Sequence, residues 1–159
     1  MAQVICITGK ICCGKTTYAA GLCRQRGAVL LSVDEIMLAL FGQHCGSMHD
    51  TYTERTKAYL YAKALELIQA GVDVVLDWGF WQRKDREQTR RFFAEQQIPC
   101  VFHGIDIPDA AWRQRVAARN QAVIRQETGA YFVDEALAAK CAGFFEPPGP
   151  EEIDLWIRN

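Results

Sequence analysis

The sequence predicts an α/β fold, a parallel sheet with helices on both faces, and three observations carry that expectation. Short apolar runs alternate along the chain with longer segments of helical spacing. The runs are rich in Val, Ile, Leu and Cys without polar alternation, as strands buried on both faces require. The first run, Val4-Ile5-Cys6-Ile7, leads into Gly9-Lys10-Ile11-Cys12-Cys13-Gly14-Lys15-Thr16, a match to the phosphate-binding pattern G-x-x-x-x-G-K-[ST].

The elements follow in order. A helix through Tyr18, Leu22 and Cys23 succeeds the glycine loop and stops at Arg26-Gly27. Residues 28–33 read as a second strand, and Asp34 opens a helix with Ile36, Met37, Leu40 and Phe41 on its apolar side. Residues 42–50 are a polar connection. Thr51-x-x-Glu54 reads as a capping box for a long helix that keeps Leu60, Ala64, Leu67 and Ile68 in register and stops at Gly71. Residues 72–78 form a third strand, with Asp77 at its end, and 83–97 a charged helix anchored by Phe92 and Phe93. Residues 100–107 are the fourth strand. Pro108-Asp109 begins a helix that passes Trp112 and Val116 into Arg119-Asn120. A polar stretch to Ala130, a short helix over about 134–142, a rigid turn at Phe145-Glu146-Pro147-Pro148 and a last strand over 153–157 complete the chain.

A chain of 159 residues suits one domain, 1–159, with its own core. A formal charge of −1 argues against a general polyanion-binding surface, though a local basic groove stays open. No apolar leader and no run of membrane-spanning length occur, so the expected location is the cytoplasm, without membrane attachment. Seven cysteines, an odd number with no C-x-x-C pair, suggest neither a disulfide framework nor a zinc site. Cys6 and Cys100 lie in strand runs as small buried hydrophobes. Cys12 and Cys13 are either small side chains that fit the loop or a redox switch.

The chemistry gathers at the loop. Its backbone N–H groups and those of the following helix converge on one point that phosphate oxygens satisfy. Lys15 supplies a point charge for the β- and γ-phosphates, and the Thr16 hydroxyl can ligate Mg²⁺. Residues Gly9 to Thr17, with Thr17 as the second threonine, are therefore the expected ATP phosphate site. In a parallel sheet ligands bind at the carboxyl ends of the strands, where Asp34 and Asp77 both fall. Asp34 is a candidate base for an acceptor hydroxyl, or else an N-cap. Asp77 could hold Mg²⁺ through water, or face the substrate hydroxyl. Trp78, Phe80 and Trp81 could form a stacking wall for a flat substrate, or pack the next helix. Arg83 and Arg86 start the charged helix nearest the site and are the candidates for substrate contact; the rest of that helix reads as solvated. Arg113, Arg115, Arg119 and Arg125 flank the polar stretch, where lid arginines would neutralise a transferring phosphate. The three histidines have no metal-ligand spacing.

Five segments together resemble a family. GKICCGKTT, LLSVDEI, VVLDWGFWQRKDRE, DIP-x-x-x-WRQRVAARN and FFEPP resemble the small P-loop kinases grouped as AAA-type ATP-binding proteins. These are similar to chloramphenicol phosphotransferase, zeta-toxin kinases and polynucleotide kinase domains. The resemblance implies a three-layer α/β/α fold, a five-stranded sheet of order 2-3-1-4-5 and a lid over about 119–131. It also implies ATP·Mg²⁺ on Lys15 and Thr16, Asp34 as base and Arg119 as a lid arginine. Many relatives carry Gly or Ser where Cys12 and Cys13 stand. The expected activity is ATP-dependent phosphoryl transfer to a hydroxyl of a small molecule, by a monomer or homodimer. A polynucleotide 5′-hydroxyl kinase and a non-catalytic ATP-binding regulatory module are the rivals. A GTPase is disfavoured because no N-K-x-D motif follows the loop.

Overall fold

The computed structural model describes residues 1–159. Five strands, β1 (Val4–Thr8), β2 (Val29–Ser32), β3 (Val74–Asp77), β4 (Cys100–Asp106) and β5 (Leu155–Arg158), form one sheet of order β2-β3-β1-β4-β5. All four pairings are parallel. Parallel neighbours need crossovers, which the helices supply: α1 (Lys15–Arg26), α2 (Val33–Phe41), α3 (His49–Gln69), α4 (Arg83–Glu95), α5 (Asp109–Ile124) and α6 (Glu135–Phe144). Single 3₁₀ turns lie at Gly46–Met48 and Pro150–Glu152. Strand order and parallel pairing agree with what the resemblance implied.

Strand pleating splits the core in two. Val4, Cys6, Val74, Leu76 and Phe102 face one side and pack with Val33 and Met37 of α2, Leu60 and Ala64 of α3, and Phe93 of α4. Ile5, Ile7, Val75 and Ile105 face the other and pack with Ala19 of α1 and Ala111 and Trp112 of α5. Every residue of β1 and β3 is buried, which explains why they are apolar up to their terminal Thr8 and Asp77. The Cys6 and Cys100 sulfurs are 3.8 Å apart as free thiols in the β1–β4 seam, consistent with their reading as small hydrophobes.

Three boundaries differ from the sequence reading. Helix α2 begins at Val33, because Ser32 is its N-cap and its Oγ accepts from the Glu35 N–H at 3.3 Å. No capping box forms at Thr51. The 3₁₀ turn at Gly46–Met48 runs straight into α3, which starts at His49 and leaves Thr51 and Glu54 inside the helix. Helix α5 continues past Asn120 to Ile124, so the arginine expected at the start of the lid, Arg119, stands on a helix.

Arg86 needs a correction. It is 1% exposed, and its guanidinium meets the buried Glu152 carboxylate through Nε at 2.6 Å and Nη2 at 3.2 Å. Its Nη1 donates to the carbonyls of Phe80, Trp81 and Glu146. That is a bidentate buried pair with its remaining donors used, which puts Arg86 out of reach of a substrate. Its hydrogen bonds hold Glu152 below the usual carboxylate range. Removing one partner of such a pair leaves an uncompensated buried charge, so Arg86→Met should destabilise the fold by about 3–5 kcal/mol. Urea denaturation at neutral pH measures this; a loss under about 1 kcal/mol would mean that Glu152 finds water or another donor.

Candidate active site

The glycine loop is a curve of backbone whose carbonyls point outward. Trp81 Nε1 donates to Gly9 O (3.1 Å) and Trp112 Nε1 to Ile11 O (2.7 Å). Arg115 Nη1 and Asn159 Nδ2 both donate to Cys13 O, at 2.7 and 3.1 Å. Lys15 Nζ spans the loop, donating to Gly9 O at 2.9 Å and Lys10 O at 2.7 Å. The loop glycines are there for close approach. A Cβ on Gly9 would lie 2.9 Å from Ile105 O, and one on Gly14, at φ 102°, would lie 2.8 Å from Arg115 Nη1.

Helix α1 starts at Gly14 with no side-chain cap and no acidic residue in its first turn. The other five helices each carry an acid there: Asp34 and Glu35 in α2, Asp50 in α3, Asp85 in α4, Asp109 in α5 and Glu135 in α6. The first-turn N–H groups and the positive helix end of α1 alone are left for an external anion. Lys15, Thr16 and Thr17 occupy that turn, both threonines exposed.

Beneath the turn, Thr16 Oγ1 donates to Asp77 Oδ2 at 2.9 Å. Asp77 ends β3 and is 5% exposed; in the β2–β3 register it stands opposite Ser32, so Asp34 follows two residues beyond on the neighbouring strand end. Since Ser32 caps α2, the Asp34 carboxylate is free of that duty and its surface opens to solvent. Partial desolvation in the cleft, with the Asp77 anion, raises its carboxyl above the ordinary range against the pull of Lys15, Arg119 and His49. Burial likewise raises Asp77, opposed by the Thr16 hydrogen bond, Lys15 and Arg119. Two carboxylates in one cleft, both raised, mark a chemically poised site. No group of three or more His, Cys, Asp or Glu comes together as a metal cage. Thr16 and Asp77 offer hard oxygens of the kind that suits Mg²⁺, an ion that takes its other ligands from water and phosphate.

The half-buried Arg119 lies against the loop, its Nη1 3.0 Å from Cys12 Sγ. Cys12 has φ 59°, a left-handed backbone that a non-glycine residue adopts only under constraint. Cys13 is fully buried and burial lifts its thiol above the ordinary value, so it is a packing residue and not a thiolate. From within α5, Asn120 pins Val133 with its side-chain amide: Nδ2 donates to Val133 O at 2.6 Å and Oδ1 accepts from Val133 N–H at 2.8 Å. Gln43 grips Ala130 O at 2.9 Å and Phe132 N–H at 3.2 Å in the same way from the α2–α3 connection.

The aromatic and basic candidates fare unequally. Trp78 is 8% and Phe80 3% exposed, both within the core, so they are no open stacking wall. Trp81 is half-buried with its indole on the loop. Arg83 is exposed and paired with Glu87 at 2.8 Å and Glu151 at 3.6 Å. Arg115 braces the loop from behind through Cys13 O. The sequence reading missed Trp112 and Asn159 as loop braces. Nothing in the sequence marks an indole or amide 101 or 146 residues away as a partner of the loop.

A family model described as an AAA domain (AAA_33) matches residues 4–148. The chain belongs to this family. No curated protein matches it. Among solved structures, this AAA domain is similar to a sugar kinase from Janibacter sp. HTCC2649, with TM-score 0.69 and 18% identity over 99% of this chain and 86% of that one. It is similar to the APS kinase CysC of Mycobacterium tuberculosis in complex with AMPPNP and APS, with TM-score 0.68 and 18% identity over 99% and 88% of the two chains. A chain of the Pnkp1/Rnl/Hen1 RNA repair complex superposes with TM-score 0.72 and 19% identity, over 90% of this chain but 43% of that one. The AAA domain thus has the kinase-like P-loop fold, a five-stranded parallel sheet between helical layers. None of its helices is long and apolar enough to cross a membrane.

The paired carboxylates make a stability prediction. A carboxyl raised in the native state gives stability that is complete below its unfolded value, about 3.9, and lost as pH rises through the native value. As pH rises through those native values, the apo-protein comes to bear the cost of the charged forms. Asp34→Asn should therefore raise Tm at pH 7, with the gain shrinking towards pH 4. Equal Tm values for both proteins across that range would show that the cleft does not strain Asp34.

Proposed function

We propose that this AAA domain is an ATP-dependent phosphotransferase that moves the γ-phosphoryl group to a hydroxyl of a small molecule. One observation carries the reading: the single acid-free, uncapped helix N-terminus opens on the Thr16–Asp77 contact, with Asp34 in the first turn of α2, two residues past the adjoining strand end. In this reading Gly9 to Thr17 cradle the phosphates and Lys15 pairs with the β- and γ-oxygens. The Thr16 hydroxyl would hold Mg²⁺, with Asp77 acting through water, and the ion would supply positive charge against the phosphates. Asp34 accepts the proton of the acceptor hydroxyl as its oxygen bonds to the γ-phosphorus and the bond to ADP breaks. Its raised carboxyl suits that task better than an ordinary surface aspartate would. Arg119, held beside the loop, faces the charge that spreads over the passing phosphoryl oxygens.

The polynucleotide reading finds little support in the basic helix. Of the cations on α4, Arg83, Arg86 and Arg90 are committed to carboxylates of this chain, and only Lys84 and Arg91 stand without an ion pair. A strand-binding groove would need several such cations free, since each neutralised phosphate of a single strand adds about −0.7 to the salt slope. The regulatory-module reading is separated from an enzyme by turnover. A transfer screen with γ-labelled ATP against hydroxyl compounds and 5′-hydroxyl oligonucleotides tests all three. A labelled small molecule supports the proposal, whereas ATP binding with no transfer to any acceptor would favour the module.

The loop and the base should respond differently to mutation. Lys15→Met removes a charge-assisted contact of about 1.5–3 kcal/mol, so ATP affinity and transfer should fall together. Asp34→Asn should keep ATP affinity and lose roughly 10²–10⁴ in transfer, the range for a positioned base. Calorimetric ATP titration beside single-turnover transfer reads both; an Asp34→Asn protein within a few-fold of wild type would hand the role to Asp77. Arg119→Ala should lower kcat more than it raises the ATP KM. A raised KM with unchanged kcat would place Arg119 on the ground-state nucleotide instead.

A further inference from the structure

Residues 130–133 have no regular secondary structure, yet side chains fix their backbone on both sides of Tyr131. Gln43, two residues past α2, donates through Nε2 to Ala130 O at 2.9 Å and accepts from the Phe132 N–H at 3.2 Å. Asn120, next to Arg119 on α5, takes the N–H and the carbonyl of Val133. Thr128 Oγ1 accepts from the Ala130 N–H at 3.3 Å. A carboxamide has a donor and an acceptor side, as a peptide unit has, so the two amides stand in for the neighbouring strands that this segment lacks. The segment is a strap, tied at one end beside α2 and at the other beside the arginine that reaches the phosphate loop. Phe132 is 41% exposed and Val133 2%, so the strap turns Phe132 outward, while Tyr131 is half-buried.

The Tyr131 hydroxyl makes no hydrogen bond within the chain, unlike those of Tyr18 on His103 (2.8 Å) and Tyr61 on Thr89 (2.7 Å). Its surroundings are the cleft. Burial, the Asp34 carboxylate of α2 and Cys45 of the α2–α3 connection together lift the phenol above the ordinary tyrosine value. Asp34 also feels His49, the first residue of α3. Tyr131, Cys45 and His49 therefore border the space around the candidate base. Tyr131 and Asp34 act on each other through space and not through a hydrogen bond, so each keeps its bonding capacity for a ligand.

We propose that Tyr131 is a specificity-determining residue for the phosphoryl acceptor: its hydroxyl pairs with a second hydroxyl of a polyol or sugar whose reacting hydroxyl lies on Asp34. The inference rests on the phosphotransferase reading and deepens it. A carboxylate only accepts, so Asp34 suits the hydroxyl that gives up its proton. A phenol both donates and accepts, as an alcohol does, so Tyr131 suits a hydroxyl that stays intact. An acceptor with a single hydroxyl satisfies Asp34 and leaves the half-buried phenol without a partner, which weakens the complex. Gln43 and Asn120 have the supporting part. By fixing the backbone on both sides of Tyr131 they set the place of the phenol before the acceptor arrives, which lowers the ordering cost of binding.

The test separates binding from transfer. The five tyrosines are replaced by 3-fluorotyrosine, and the ¹⁹F signal of position 131 is assigned by Tyr131→Phe. Asp34→Asn should move that signal and leave those of Tyr18, Tyr59 and Tyr61 in place; an unmoved Tyr131 signal would put the phenol away from the base and overturn the proposal. With AMPPNP bound, myo-inositol and glucose should shift the Tyr131 signal at a concentration about three-fold or more below cyclohexanol, as one added hydrogen bond requires. Equal shifts from cyclohexanol, or none from either polyol, would also overturn it. In transfer from ATP, Tyr131→Phe should raise the polyol KM about three-fold or more, with kcat and the ATP KM within about two-fold of wild type. Gln43→Leu, which releases the strap where it meets solvent and keeps the phenol, should raise the same KM. Transfer to a hydroxyl compound whose KM ignores both substitutions would sink the role of Tyr131 alone. Polyol shifts at Tyr131 with no transfer from ATP to any acceptor would sink the phosphotransferase reading alone.

Discussion

A phosphate loop can point its N–H groups inward only if its carbonyls find donors on the outside, and much of this structure answers to that constraint. A peptide unit has one donor and one acceptor at opposite ends, so turning the donors towards a ligand turns the acceptors towards protein. Here the carbonyls of Gly9, Ile11 and Cys13 are met from outside by Trp81, Trp112, Arg115 and Asn159, while Lys15 spans the loop to the carbonyls of Gly9 and Lys10. These donors come from the β3–α4 turn, from α1, from α5 and from the residue after β5. The loop therefore draws together segments from opposite ends of the chain, and its curvature is set before any anion arrives. Preorganisation of that kind is what makes electrostatic stabilisation effective, because no dipole has to turn during reaction.

The same economy of donors explains the two aspartates. Ser32, and not Asp34, caps α2, and Asp77 is partnered by one hydroxyl from Thr16. A structural carboxylate of this chain looks different. Glu152 has a bidentate guanidinium and the Gly149 N–H, and Asp154 takes Arg90 and the Phe102 N–H. Those two are held below the ordinary carboxylate range, whereas Asp34 and Asp77 are held above it. The direction of the shift separates acids that build the fold from acids left under-satisfied in the cleft, and under-satisfied groups are the ones free to take a proton or an ion.

Much of this was legible in the sequence where the signal is local. The strands β1 and β3 are apolar runs up to their last residue, and the loop is a contiguous pattern, so both were placed to within a residue or two. Strand-end carboxylates followed from the parallel fold without coordinates. Failures cluster where meaning lies in distant pairing. Arg83 and Arg86 look alike on a helical wheel, yet one is solvated and the other buried, because the deciding partner, Glu152, is 66 residues away. Trp78 and Trp81 likewise differ in burial through tertiary packing alone. The α2 boundary slipped by one residue since Ser32 and Asp34 are both good caps, and only packing selects between them.

Arg86 shows how a residue that touches no ligand can still shape the site. The turn after Asp77 carries two unusual conformations, Gly79 at φ 33° and Phe80 at φ 47°. A left-handed phenylalanine costs roughly 1–2 kcal/mol, so the surroundings must over-determine it. They do so through carbonyls: Thr8 Oγ1 donates to Gly79 O and Phe80 O, and Arg86 Nη1 to Phe80 O and Trp81 O. With the turn locked, the Trp81 indole is aimed back at Gly9 O and the Trp78 ring is driven into the core edge-on to Tyr61. Thr8 closes the circuit, because it ends the strand that feeds the phosphate loop. The turn is thus clamped between the last residue of β1 and a buried ion pair, and it carries Asp77 at its start and a brace of the loop at its end. Loosening the Arg86–Glu152 pair would reach the phosphate site along this route, through the backbone of four consecutive residues and not through any charge in the cleft.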